Sequence, residues 1–385
     1  MPEASKKKIA IITSSPTTIK SFLSYQIKIL SNKYIVYLIL NLTGESKKLL
    51  SDLPKDIIIY NVPIHRKINL FLDLKSLLIL YKIFIKEKFH LIHSFTPKAG
   101  LISSISGFFA KVPNRLHTFT GQIWANFKGL NKFFFQFADK IIFKLNTFVL
   151  IDSHAQKSFL LSNNIINDSK SKVLGSGSLS GVDFHRFKPN SNQKEEIRKI
   201  FNIPKDTFLL IFVGRLKKDK GILDLTHSLR ILIKKNLKIS LLIIGPDEEN
   251  LLKYIKKEYL DIINEMLIIP YFKNPEKYIC AADLFIMPSY REGFGTSIIE
   301  AAACGVPTVA SRIYGLADTV IEEETGLFFE PGDVNDLAKK IQYLYNNRKI
   351  CNSFGENAMK RVHKYFGQDL ILKELLSFYN DKLNS

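Results

Sequence analysis

Cysteine is scarce. Cys280, Cys304 and Cys351 are the only three among 385 residues, and they form neither a CxxC pair nor a ligand cluster. A disulfide framework and a zinc site are thereby excluded, leaving three small apolar side chains suited to a reducing compartment. Glycine and proline, at 19 and 14 residues, are too sparse for a fibrous or disordered chain. Long apolar runs are missing too, because Lys82, Asp139, Lys140 and Lys144 interrupt the best candidates before they reach the roughly 18 residues of a membrane span. Any membrane contact is therefore expected to be peripheral. The run Ile9 to Ile12 behind Lys6, Lys7 and Lys8 is too brief for a secretory core, which makes the cytoplasm the default location. Acidic residues are few in one half: residues 1–150 hold 22 Lys and Arg against 7 Asp and Glu, a net of +15 out of +19 for the chain. Such a half attracts anionic lipid, nucleic acid or polyanionic substrates, or serves solubility alone, and charge does not choose among these.

What is present is apolar material, 46% of the residues, in a chain long enough for two domains. Lys7 to Thr13 reads as a buried strand with a polar exit at Ser14-Ser15-Pro16, followed by a helical pattern from Lys20 to about Leu30. Strand patterns recur at Tyr34–Leu40, Ile57–Val62, His90–Ser94, Asn114–Phe119 and Thr147–Ser153, separated by helical lengths; this alternation predicts parallel βα units. It restarts at Leu209–Val213 and continues through Ile239–Ile244, Met266–Ile269, Leu284–Met287 and Thr308–Ala310. Between the two series, Gly175 to Pro189 is rich in glycine and serine and suits a crossing between domains. The expected division is 1–187, 188–368 and a final helix in 369–385, whose apolar spacing at Ile371, Leu372, Leu375, Leu376 and Tyr379 suits packing back toward the first domain.

Two segments carry chemistry. In Val213-Gly214-Arg215-Leu216-Lys217-Lys218-Asp219-Lys220-Gly221, a glycine turn leaves the carboxyl end of a strand and two cations precede a helix near Ile222. Ligands bind there in open α/β sheets, and Arg215 and Lys220 suit a diphosphate; an exposed basic loop is the competing reading. In Arg291-Glu292-Gly293-Phe294-Gly295-Thr296 through Glu300 and Gly305, two glutamates eight positions apart flank a turn into a helix. Backbone N–H groups of Gly293 to Thr296 can meet an anion, aided by the helix dipole. Glu300, expected about two turns inside a small, apolar helix, would be costly to bury without hydroxyl partners such as a ribose provides.

With these two motifs in this order, the chain resembles the large retaining GT-B glycosyltransferases, the family-four-like group, over nearly its whole length. The resemblance implies an α/β GT-B fold of two Rossmann-like domains facing across a cleft. It implies that Arg215 and Lys220 hold the donor diphosphate, that Glu292 and the backbone of Gly293, Phe294 and Gly295 meet the donor sugar, that Glu300 binds the ribose, and that Tyr271 or Phe272 lies beside the base. The segments His93 to Gly100, His117 to Trp124, Asp152 to His154 and Gly175 to Phe187 are similar to a narrower branch that extends polyprenyl-diphosphate-linked sugars for capsule, O-antigen or protein glycosylation. That branch implies acceptor contacts from Ser14, Ser15, Lys98, Thr120 and Gly121. Thr13-Ser14-Ser15 stands where the family often has a Gly-Gly pair, and Thr118-Phe119-Thr120 where a histidine commonly ends the segment. The acceptor-side catalytic residue thus stays open, with His93 and His117 as the nearest candidates beside a reading as structural strand-end histidines, and Lys98 open beside a solvated helix position.

No Asp-x-Asp motif accompanies the donor segments, so neither a metal nor another cofactor is expected, and protein cations serve the phosphates. Phe133, Phe134, Phe135, Phe137 and Phe143 alternate with Lys132, Lys140 and Lys144, and residues 69–89 have a similar blend. Helices of this kind dip apolar faces into lipid while lysines meet anionic headgroups, or else bury a stripe in the core. The expected activity is transfer of a sugar, an N-acetylhexosamine, from a UDP-sugar to a lipid-linked saccharide at the inner face of the cytoplasmic membrane, with no nucleic-acid partner. A two-domain UDP-sugar epimerase and a non-catalytic basic membrane-binding protein are the rivals.

Overall fold

The computed structural model describes residues 6–43, 48–65, 68–270 and 274–384. By its internal contacts the chain divides into two compact units, Met1–Ser180 with Asp369–Ser385, and Gly181–Gln368.

The first unit holds a parallel sheet of seven strands: β1 (Lys8–Ile12), β2 (Ile35–Leu40), β3 (Ile58–Asn61), β4 (Leu91–Ser94), β5 (Asn114–Phe119), β6 (Phe148–Ile151) and β7 (Ser171–Val173), in the order β3-β2-β1-β4-β5-β6-β7. The order reverses direction between β1 and β4, which leaves a crevice at their carboxyl ends. Residues alternate between faces, Ile9 and Ile11 in one core and Ala10 and Ile12 in the other, so a strand covered on both sides reads as an unbroken apolar run. Strand β7, three residues with Lys172 outward, lies beyond the strands the pattern predicts because it is too short to carry an alternation. The helical pattern after β1 begins at Pro16–Thr18, passes through a π-helical turn at Ile19–Leu23, and continues as an α-helix over Ser24–Lys33. The Ser24 hydroxyl donates to the Ile19 carbonyl at 3.0 Å within that turn.

The second unit holds six parallel strands: β8 (Phe208–Val213), β9 (Ile239–Ile244), β10 (Met266–Ile269), β11 (Leu284–Met287), β12 (Thr308–Ser311) and β13 (Gly326–Phe329), in the order β10-β9-β8-β11-β12-β13. Its reversal falls between β8 and β11. Leu209, Ile211 and Val213 face one core, Phe208, Leu210 and Phe212 the other. Strand β13 follows a turn and spans four residues, and its period was too brief to stand out. Val182 joins this unit through hydrogen bonds with Phe366 and Gln368, while Phe187 packs in its core.

Helix Gln368–Asn384 closes the chain and sends Leu375, Phe378 and Tyr379 into the core of the first unit. No helix among the described residues is long and apolar enough to cross a membrane. All three cysteines are buried and free.

Candidate functional site

In the second unit, the two loops leaving the carboxyl ends of β8 and β11 meet at the strand-order reversal. The β8 loop turns through a 3-10 segment, Lys218–Lys220, into helix Ile222–Lys234. The β11 loop passes Gly295, with φ +74°, into helix Thr296–Ala303. Glycine sets how closely the loops approach. Gly221 has φ +67°, and a Cβ there would lie 1.9 Å from the Pro288 carbonyl oxygen; one on Gly315 would lie 2.1 Å from that of Glu292.

This approach brings Lys220 and Glu292 together at 2.7 Å, with side chains only 14% and 15% exposed. Ser289 Oγ donates to the same Glu292 oxygen at 2.7 Å, and the Arg291 carbonyl lies 3.5 Å from Lys220 Nζ. Arg215 pairs with Glu248 at 3.1 Å, and Lys217 with Glu249 at 3.6 Å. Two contacts tie the loops to each other: Arg291 Nη2 reaches Asp219 at 3.2 Å, and Tyr290 N–H donates to the Asp219 carbonyl at 2.9 Å. Tyr290 Oη donates to Asp224 at 2.7 Å, and burial, helped by this bond, pushes the phenol up to about 12. Phe294 is buried and packs on Phe366, so it offers a ligand only its backbone.

Glu300 sits four residues past Thr296, a little over one turn into its helix rather than two, because Gly293 to Gly295 are consumed by the turn. Half-buried, its carboxyl is raised to about 8 by burial, against the pull of Arg186 and with added repulsion from Glu276. Arg186 and Glu276 are themselves paired at 2.9 Å. Tyr271 and Phe272 lie outside the described residues. The carboxylates Asp219, Glu248, Glu249 and Glu276 escaped the reading of the sequence, since loop acids carry no periodic signal. Tyr290 and Arg291, adjoining Glu292, were within its reach.

In the first unit, the β1 and β4 loops meet in the same way. Ser14 N–H donates to Thr96 Oγ1 at 3.3 Å, and Ser15 Oγ caps the following turn by accepting from Thr17 N–H. Thr96 holds φ +70°, a conformation costing a β-branched residue on the order of 1–3 kcal/mol. Helix Pro97–Phe109 starts next, and Lys98 pairs with both carboxylate oxygens of Asp73, at 2.9 and 3.0 Å.

Neither histidine candidate stands open to solvent. His93 is 1% exposed, its Nδ1 bonded to Tyr379 Oη at 2.6 Å and its Nε2 to Thr118 Oγ1 at 2.7 Å. Burial first, then His117, lowers it well below the usual range. His117 packs on Gly100, where a Cβ would meet its ring at 2.4 Å, and its Nδ1 lies 2.9 Å from Ser94 Oγ. Ser94 Oγ donates to the Leu116 carbonyl, so His117 Nδ1 donates and Nε2 keeps the lone pair. Burial lowers His117 to about 3. Both rings are neutral near pH 7 and act as hydrogen-bonding groups. His117, Thr120 and Gly121 line one pocket with Trp124 and Asp139; His93 lines another with Asp152.

Two doubly wound parallel units, the second with Lys220 and Glu292 paired where its strand order reverses, make up a GT-B fold. The family described as "Glycosyl transferases group 1" matches residues 193–361. "Capsular polysaccharide biosynthesis glycosyltransferase CapM" of Staphylococcus aureus is 36% identical over 83% of this chain and 84% of its own. An Escherichia coli "UDP-Gal:alpha-D-GlcNAc-diphosphoundecaprenol alpha-1,3-galactosyltransferase" is 27% identical over 78% of this chain and 80% of its own. Among solved structures, a sucrose-phosphate synthase from Thermosynechococcus elongatus superposes with TM-score 0.81 at 21% identity, covering 98% of this chain and 99% of the other. The chain belongs to the group 1 glycosyl transferases.

Proposed function

We propose that this glycosyltransferase moves an N-acetylhexosamine from a UDP-sugar to a saccharide carried on a polyprenyl diphosphate, retaining the anomeric configuration. The observation that carries this reading is the Lys220–Glu292 pair, which joins the two loops that also carry Arg215 and lead to Glu300. Arg215 and Lys220 neutralise the donor diphosphate, exchanging Glu248 and Glu292 for phosphate oxygens, and the N–H groups of Gly293 to Thr296 add the partial charge of a helix start. Released from Lys220, Glu292 accepts from donor-sugar hydroxyls, while ribose hydroxyls give Glu300 the partners its burial demands. Charge supplied this way needs no metal. In a front-face course the leaving diphosphate oxygen takes the acceptor proton, which fits a first unit whose histidines are buried and neutral. Ser14 and Ser15 at the first unit's own strand-order reversal, and Thr120 and Gly121 at the end of the adjoining β5, contribute acceptor contacts, and Lys98 meets the acceptor phosphate in place of Asp73.

The acceptor class is supported by the outer surface of the first unit. Leu70, Phe71, Leu74 and Leu78 on helix Leu70–Glu87, Phe108 and Phe109, and Leu130, Phe133, Phe134 and Phe137 on helix Gly129–Leu145 are all exposed. These helices are joined side by side, Ser106 bonding Leu77 and Asn146 bonding Ser104. Rings and leucines at this density, with Lys140 and Lys144 beside them, suit the anionic inner face of a cytoplasmic membrane. The relatives named for capsule biosynthesis and for a diphosphoundecaprenol acceptor point the same way. The test is a panel of nucleotide sugars offered with and without a polyprenyl-diphosphate saccharide while UDP release is followed. Release that depends on the lipid-linked acceptor is expected; conversion of the nucleotide sugar without an acceptor would make the protein an epimerase.

A further inference from the structure

Helix Gly129–Leu145 has two unlike faces. Outward it shows Leu130, Phe133, Phe134 and Phe137, exposed by 54% to 87%. Inward it carries one carboxylate, Asp139, only 7% exposed. Trp124 Nε1 donates to Asp139 Oδ2 at 2.7 Å. Oδ1 takes no hydrogen bond among the described residues, yet it is not among the atoms sealed from solvent. Asp139 lines, with Pro97, His117, Thr120, Gly121, Gln122 and Trp124, a pocket of only about 10 Å³, room for one water-sized group. A carboxylate with an unused acceptor atom is costly to place in such a site unless something donates to it. His117, on the same pocket, keeps its Nε2 lone pair because Nδ1 donates to Ser94. Two acceptors in one narrow pocket select a hydrogen-bond donor, and the space suits one protruding substituent rather than a sugar ring.

We propose that Asp139, with His117 beside it, reads a hydroxyl of the acceptor saccharide and so determines which sugar this transferase extends. This rests on the lipid-linked acceptor reading above and gives it a residue. The pocket opens beside Pro97, Thr120 and Gly121, at the carboxyl ends of β4 and β5 where ligands of such sheets bind. The same helix would rest its rings on the bilayer that holds the acceptor's lipid, so membrane contact and sugar selection share one rigid element.

The experiment uses the full chain and a short-chain prenyl diphosphate N-acetylglucosamine, with its 3-, 4- and 6-deoxy analogues. For the wild type, one analogue is expected to lose roughly 10- to 100-fold in kcat/KM, as expected when a buried acceptor is left without its donor. Asp139→Ala should lower the parent acceptor by a similar factor and treat that analogue and the parent alike. Asp139→Asn, which keeps an oxygen for Trp124, should fall between, and donor KM should be unchanged in both. Trp124 is the single tryptophan, so acceptor binding to unaltered protein is also read directly as a change in its fluorescence, absent with the discriminated analogue. Wild-type transfer that is indifferent to Asp139→Asn and to every deoxy analogue, with no fluorescence response, would overturn the role of Asp139 alone. No transfer to any lipid-diphosphate saccharide would overturn the acceptor reading, and this role with it.

Discussion

At the β8 and β11 loops of the second unit, cations and carboxylates stand partly exposed in pairs: Lys220 with Glu292, Arg215 with Glu248, Arg291 with Asp219. In the first unit the corresponding polar groups are buried: His93 and His117 are neutral, and burial raises the carboxyls of Asp139 and Asp152 to about 7. The surfaces differ in the opposite sense. Exposed apolar side chains crowd three neighbouring helices of the first unit, while those of the second, such as Ile200, Tyr254, Leu260 and Tyr343, fall on separate elements. One topology, used twice, thus supports a charged site on a polar body and a hydrogen-bonding site on an apolar, basic one. Strand order fixes where a crevice forms; its chemistry is a matter of loop residues.

The largest effect expected from disturbing this contrast is at the charged site. Arg215→Ala and Lys220→Ala should each remove a charge-assisted contact of about 1.5–3 kcal/mol, and lower kcat/KM for the donor by roughly 10- to 100-fold. Lys98→Ala in the first unit should leave donor KM within about two-fold, and instead weaken acceptor use. Steady-state kinetics with donor and acceptor varied separately checks both; a folded double variant turning over like the wild type would remove the donor assignment.

Next in size is a pH effect from one buried acid of the first unit, Asp152. Burial pushes Asp152 up to about 7 from an ordinary 3.8, and its Oδ1 has no hydrogen-bond partner among the described residues. A carboxyl raised in the native state favours folding fully below its unfolded value, and that contribution is lost as pH rises through about 7. Between pH 5 and pH 8 this group alone should therefore cost at most about 3 kcal/mol of stability. Asp152→Asn should flatten that loss, as read by urea denaturation at the two pH values. An unchanged pH dependence would mean that the buried acid is relieved by another route.

Smaller again is the surface contrast. Phe133→Ser/Phe134→Ser should weaken sedimentation with anionic liposomes by several-fold, and raised salt should remove the share due to lysines, each worth about 1 kcal/mol near the surface. Tyr254→Ser/Leu260→Ser in the second unit should change nothing. Equal binding to neutral and anionic vesicles would leave the first unit's positive charge without a membrane role. The smallest expected change is none: activity should persist in EDTA after metal is stripped, and its loss and return with magnesium or manganese would reassign phosphate neutralisation away from Arg215 and Lys220.

The sequence carried the architecture where strands are long and buried on both faces. Asn114–Phe119, Ile239–Ile244, Met266–Ile269 and Leu284–Met287 appear at their expected bounds. It missed β7 and β13, which are too short for a period, and the π-helical turn at Ile19–Leu23, which has no compositional mark. Around the candidate donor site, the residues that a motif joins in sequence, Arg215, Lys220, Glu292 and Glu300, were legible. Glu248, which pairs with Arg215 through the fold, and Asp219, which pairs with the neighbouring Arg291, were not. Asp139 had a faint signal, a lone acid in a helix of phenylalanine and lysine, and that signal served only to argue against a membrane span. Its meaning depended on which face turned inward, a fact that tertiary packing alone decides.

The bond from Tyr379 to His93 joins residues 286 positions apart, and it bears on how the chain is made. The first unit's core lacks Leu375, Phe378 and Tyr379 until the final helix has left the ribosome, by which time the intervening second unit can already have folded. At ordinary synthesis rates the amino-terminal sheet waits on the order of 10–40 s with part of its core uncovered. For that interval the nascent chain is a client for chaperones, and a ribosome stalled before residue 369 would release a finished second unit attached to an unfinished first.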